Sequence, residues 1–172
     1  QCKSSVIFGG MRTNGTTIIK AKKSRNHTEL FCKYLNLPIK IRSYKHYDVI
    51  KINKIKKIKK INYNIPSDIS SSAFFMVLTA LSENSELVIK NVNINPSRIG
   101  IILILKKMGV KITYRNKKIY KGEKIADIKI ISPKSLKSIN CPVKLNSGAI
   151  DEFLVIFLLA SKAKGVSHFK SL

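Results

Sequence analysis

Two dipeptides, Ser24-Arg25 and Ser97-Arg98, set the frame for the whole chain. Each opens an apolar-periodic stretch of helical type. Each is followed, at the same spacing, by a strand-like run: Leu37-Pro38-Ile39-Lys40-Ile41-Arg42 after the first and Val110-Lys111-Ile112-Thr113-Tyr114-Arg115 after the second. Around these anchors the periodicity predicts helices over 3–11, 24–35, 71–81 and 97–108. It predicts strands over 15–19, 37–42, 47–52, 86–90, 110–115 and 125–131. The result is a helix–strand–helix–strand–strand unit of about 60–75 residues, used twice. A third unit opens over 150–163 as a helix followed by a glycine and the start of a strand. A long repeat of mixed elements excludes a short-period solenoid and favours an α/β architecture. The seam between the two units falls at 62–66.

Within this frame Ser24 and Ser97 are expected to cap their helices. Leu30, Phe31, Tyr34 and Leu35 form the expected inward face of one helix, and Phe74, Phe75, Leu78 and Leu81 that of another. Gly109 is placed to end the helix that starts at Ser97. The apolar runs 99–105 and 153–160 are far shorter than the ~18 residues of a membrane span, so no membrane partner is expected.

Charge is the most conspicuous property of the composition. The chain of 172 residues carries 33 Lys and Arg against nine Asp and Glu, a formal net charge of +24. Such an excess suits nucleic acid or small polyanions. Only five of the basic residues are Arg, and Lys, Ile and Asn are abundant throughout, which reads as compositional drift rather than a dedicated patch. The densest basic run, 51–61, has Ile at 52, 55, 58 and 61 and no aromatic side chain for base stacking. No specific nucleic-acid partner is expected. Three cysteines and three histidines lie scattered, with no CxxC spacing. This gives no metal site, no disulfide framework and a reducing cytoplasm as the expected location. No phosphate-binding glycine loop of the GxGxxG or GxxxxGK[ST] kind occurs, nor a GxSxG elbow.

Acids are scarce enough for each to matter. Asp151 and Glu152 adjoin a very apolar helix. Two readings stay open: first-turn acids that complement the helix dipole, or one carboxylate acting as a general base. Gly148 just before them would allow a ligand to come close. Arg25 stands near the positive end of its helix, an unfavourable place that a bound anion would offset. Asp68, with Ser70 and Ser71, reads as a cap and first turn.

Six segments in register resemble one family. Gln1-Cys2-Lys3-Ser4-Ser5 is similar to its QVKSA, Ser24 to Glu29 (SRNHTE) to its SRDHTE, and 65–75 (IPSDISSSAFF) to its VPGDISSAAFF. Asn95 to Ile101 is similar to NPTRTGI, the Lys106-Lys107-Met108-Gly109-Val110 run to the KxMGA that follows, and Ile150-Asp151-Glu152 to IDE. These are motifs of the 5-enolpyruvylshikimate-3-phosphate synthase (3-phosphoshikimate 1-carboxyvinyltransferase) family, in its bacterial form. Two positions depart from the pattern. Ser67 replaces a Gly, with strain expected if that Gly needs a positive φ. Leu154 replaces a Pro.

The resemblance implies an inside-out α/β barrel of repeated βαβαββ units, here incomplete. Residues 1–64 would end a first domain and 65–172 would form part of a second, in an enzyme more than twice as long. It implies transfer of the enolpyruvyl group of phosphoenolpyruvate to the 5-hydroxyl of shikimate 3-phosphate, by addition and elimination, with no cofactor and no metal, in a cytoplasmic enzyme that is monomeric when full length. It names Asp151 as catalytic base and Gln1, Arg25 and Asp151 as substrate-binding residues. Other groups of the family's site lie outside these 172 residues, so the chain alone is expected to be inactive. The alternatives are the related transferase acting on UDP-N-acetylglucosamine and a basic non-catalytic nucleic-acid or scaffold protein built on the same fold.

Overall fold

A computed structural model describes residues 2–172 and divides the chain into two compact units. Among the described residues the first comprises 2–64 with 121–123, and the second 65–120 with 124–172.

In the first unit the order is α1 (Cys2–Gly10), β1 (Thr16–Lys22), α2 (His27–Tyr34), β2 (Ile39–Ser43) and β3 (Tyr47–Asn53). The last strand lies in the middle of the sheet, in the order β1-β3-β2, and pairs antiparallel with both neighbours. Its registers run from Thr16 opposite Asn53 on one side and Ile39 opposite Ile52 on the other. A central strand needs one fully apolar face. Ile50 and Ile52 supply it by alternation, packed with Ile39, with Ile7 and Met11 from the first helix and its end, and with Cys32 of α2.

The second unit repeats that order with α3 (Ile69–Leu81), β4 (Glu86–Asn93), α4 (Gly100–Lys107), β5 (Lys111–Tyr120) and β6 (Glu123–Ile131). Its sheet again puts the last strand in the middle, as β4-β6-β5. The expected helix–strand–helix–strand–strand order is therefore present in both units, and the strand order repeats with it; the strand expected after Gly165 does not form among the described residues. After it come two 3-10 turns, Val143–Gly148 and Ile150–Glu152, and then α5 (Phe153–Ser161). The core is larger here. Ile69, Met76 and Val77 of α3, Ile101, Ile104 and Leu105 of α4, Ile128 and Ile130 of β6, and Ile156 and Leu159 of α5 form one cluster.

Several local expectations are corrected. Neither Ser24 nor Ser97 caps a helix. α2 starts at His27 after Asn26, and α4 at Gly100 after Ile99, with no side-chain cap bond at either. In the second unit the reason is visible: Asn95 Oδ1 takes both the Ser97 amide and the Ser97 hydroxyl, so the chain turns before it winds. The inward face of α3 is Ile69, Ser72, Ala73, Met76, Val77 and Ala80, while Phe74, Phe75 and Leu78 are exposed. Tyr34 is also exposed, and α2 buries Glu29 and Cys32 instead.

Ser67 carries no positive φ. It pairs with the irregular part of β4: its amide donates to Asn91 O, its carbonyl accepts from Asn93 N, and its hydroxyl donates to Lys90 O. A serine is accommodated there without backbone strain. Gly109, with φ +98, ends α4 as expected; the Val110 amide reaches Leu105 O and the Gly109 amide Lys106 O.

Candidate active site

The best-defined polar cluster on a functional motif lies in the second unit, where the starts of α3 and α4 meet the turn that leads into α5. Asp68 is the N-cap of α3, in extended conformation, and its Oδ2 accepts from the Ser71 amide at 2.9 Å and the Ser71 hydroxyl at 3.1 Å. Its other oxygen lies 3.1 Å from Arg98 Nη1. Burial works to raise the Asp68 carboxyl, but the Ser71 amide and the Arg98 guanidinium outweigh it and hold the group below its ordinary value.

Arg98 sits in the turn before α4. Its Nη2 donates to Ser70 Oγ at 2.5 Å, and the same nitrogen lies 4.0 Å from Asp151 Oδ2. Ser70 in turn donates to Glu152 Oε1, also at 2.5 Å. Glu152 is buried, whereas the Asp151 side chain is 48% exposed and the Arg98 side chain 17%. The adjacent acids thus have opposite environments. Glu152 closes into the protein, and Asp151 faces outward beside a fixed cation.

This meeting of elements depends on a close backbone approach. A Cβ on Gly100 would fall 2.5 Å from Gly148 C and 2.7 Å from Ala149 N, so only glycine lets the start of α4 lie on the turn that carries Asp151. Gly148 was expected to admit a ligand; what approaches it is Gly100, with the Gly100 amide nitrogen 3.4 Å from a Cβ built there. Asp151 and Glu152 lie in the 3-10 turn Ile150–Glu152, one residue before α5 rather than inside its first turn.

Of the site residues expected from sequence, Asp151 lies in this cluster. Arg25 belongs to the first unit, half-buried in the loop before α2. Gln1 lies outside the described residues. Sequence reasoning did not assign Arg98, Ser70 and Glu152 to the site. One signal pointed to Arg98: it aligns with Arg25 in the repeat. The first unit has its own buried ion pair, Lys3 Nζ to Glu29 Oε1 at 2.5 Å, joining α1 to α2, with Ser4 Oγ and Thr28 Oγ1 2.7 Å apart beside it. Among the described residues no group of three or more His, Cys, Asp or Glu could hold a metal ion, and no helix is long and apolar enough to cross a membrane.

The cluster holds three carboxylates around one guanidinium. That composition suits the removal of a proton from a hydroxyl at the exposed Asp151, and it does not suit the binding of a phosphate, which the carboxylates would repel.

Known proteins similar to this chain in sequence and fold are consistent in kind. The chain is 41% identical over 167 residues to the 3-phosphoshikimate 1-carboxyvinyltransferase of Hydrogenovibrio crunogenus (strain DSM 25203 / XCL-2), and 40% identical over 166 residues to that of Legionella pneumophila (strain Corby). Each match covers 96% of this chain but 37% of the relative. The solved EPSP synthase from Acinetobacter baumannii superposes with a TM-score of 0.83 at 37% identity, over 96% of this chain and 37% of that one. The chain therefore spans well under half the length of the relatives it matches. The profile of the family described as EPSP synthase (3-phosphoshikimate 1-carboxyvinyltransferase) matches residues 1–171, and the chain belongs to that family.

Proposed function

We propose that this chain is part of a longer enzyme that transfers the enolpyruvyl group of phosphoenolpyruvate to the 5-hydroxyl of shikimate 3-phosphate. In this reading residues 1–64 end one domain and 65–172 form part of the other. The observation that carries it is the placement of Asp151: a half-exposed carboxylate 4.0 Å from Arg98, in a cluster otherwise closed by hydrogen bonds.

The family resemblance implies the chemistry, and that placement fits it. Asp151 takes the proton of the 5-hydroxyl as that oxygen bonds to C2 of phosphoenolpyruvate, and an acid group elsewhere in the longer enzyme supplies a proton to C3. Loss of the C3 proton then re-forms the double bond and expels phosphate from C2. A base within hydrogen-bond reach of the hydroxyl contributes a factor of about 10²–10⁴. The two phosphates and the carboxylate of the substrates need cations. Arg25 and Gln1 are assigned as substrate contacts, with further groups from the rest of the polypeptide. The enzyme acts in the cytoplasm as a monomer.

The test is phosphate release by the protein expressed from the complete reading frame. Release that requires both phosphoenolpyruvate and shikimate 3-phosphate is expected, with none from the 172-residue chain alone. Release with UDP-N-acetylglucosamine in place of shikimate 3-phosphate, or turnover by the isolated chain, contradicts the reading.

A further inference from the structure

We propose that Arg98 is a positioning residue for Asp151: held by Asp68 and by the Ser70–Glu152 pair, it fixes the orientation of the Asp151 carboxylate. This deepens the reading of Asp151 as the base and rests on it.

The hydrogen-bond directions leave little freedom. A guanidinium only donates, so Ser70 Oγ must accept from Arg98 Nη2 and send its single hydrogen to Glu152 Oε1. Glu152 is buried and therefore an anchored end point for that chain. On the other side Nη1 meets Asp68, which the first turn of α3 immobilises through Ser71. With both ends tied, the guanidinium plane is fixed, and the face of Nη2 toward Asp151 Oδ2 is fixed with it. Two of its nitrogens already meet Asp68 and Ser70, and three carboxylates surround the position, which disfavours a substrate anion there. Arg98 thus acts through Asp151 and does not bind a phosphate.

Arg98, in the turn before α4, meets Asp151 through Nη2. Removing the guanidinium leaves the Asp151 carboxylate free to turn away from the acceptor hydroxyl, and a base out of position slows the chemical step without weakening substrate binding.

The experiment compares wild type, Arg98→Gln, Ser70→Ala and Asp151→Asn in the full-length enzyme. Phosphate release from phosphoenolpyruvate and shikimate 3-phosphate is followed with each substrate varied, per mole of folded protein. Arg98→Gln is expected to lower kcat by about tenfold or more and to leave both KM values within about twofold. Ser70→Ala, which removes one oxygen and leaves Asp68 and Arg98 in place, is expected to lower kcat in the same way by less. A purely structural role would lower Tm and leave kcat per mole of folded protein where it is. Unchanged kcat in Arg98→Gln and Ser70→Ala, or a raised KM at constant kcat, overturns the proposal. If Arg98→Gln does not fold, the kcat of Ser70→Ala decides alone. Loss of turnover in Asp151→Asn alongside unchanged kcat in the other two confines the failure to Arg98. Full turnover in Asp151→Asn removes the base assignment and this proposal with it.

Discussion

The two units solve one problem in opposite ways. Both run helix, strand, helix, strand, strand, and both close a three-stranded sheet with the last strand in the middle. Both also join the start of their first helix to the start of their second by an ion pair. In the first unit the cation is Lys3 on the first helix and the acid Glu29 on the second, with side chains only 10% and 4% exposed. In the second unit the signs are exchanged: the acid, Asp68, caps the first helix, and the cation, Arg98, precedes the second. That pair is open, with Asp68 45% exposed, and it continues to Asp151 through the same guanidinium. A closed pair can only hold helices together. An open pair with spare donors can hold a third group, and here that group is the candidate base.

The difference predicts unequal costs. Glu29→Ala strands a buried ammonium and is expected to destabilise the first unit by about 3–5 kcal/mol, whereas replacing both partners together, Lys3→Met with Glu29→Leu, stays near neutral. Residue-resolved hydrogen exchange of β1 to β3 reads this. A single variant as stable as wild type would make the pair ornamental. Next comes Gly100→Ala, whose Cβ meets the Gly148 backbone and forces α4 away from the Asp151 turn. The expected cost is about 1–3 kcal/mol, seen as lost protection in α4 and α5. No change would show that the close approach is not required.

The smallest effect belongs to Asp68→Asn, which keeps a capping oxygen and loses only charge, at about 0.3–1 kcal/mol at neutral pH. Because the Asp68 carboxyl is held below its ordinary value, its contribution is fully present above about pH 4. It is lost as pH falls through the lower folded value. Unfolding between pH 2 and 5 should therefore depend less steeply on pH in the variant than in wild type. Equal slopes would place the charge elsewhere.

How much of this the sequence could show depends on range. The repeat, the element order and the helix stop at Gly109 rest on local periodicity and local turn chemistry, and they were legible. The buried side of α3 was not. ISSSAFFMVLTAL is apolar on most of its circumference, so spacing cannot choose between Phe74-Phe75-Leu78 and Ala73-Met76-Val77. The helix starts were misplaced for a similar reason. A Ser before an Arg looks like a cap until the Asn95 side chain is seen to hold Ser97 in a turn. Asp151 was visible as an acid in acid-poor surroundings, and the family motif gave it a role. Its neighbours were not visible, because Asp68, Ser70 and Arg98 are joined to Asp151 and Glu152 only by the fold. Arg98 was noticed as a marker of the repeat, and its chemistry stayed hidden until its partners came together.

The central claim is that Asp151, presented by this cluster, removes the proton from the acceptor hydroxyl. Its most direct test is kcat for phosphate release by the full-length enzyme with phosphoenolpyruvate and shikimate 3-phosphate, compared with that of Asp151→Ala. A fall of about 10²–10⁴-fold in a folded variant is predicted; undiminished kcat would contradict the assignment.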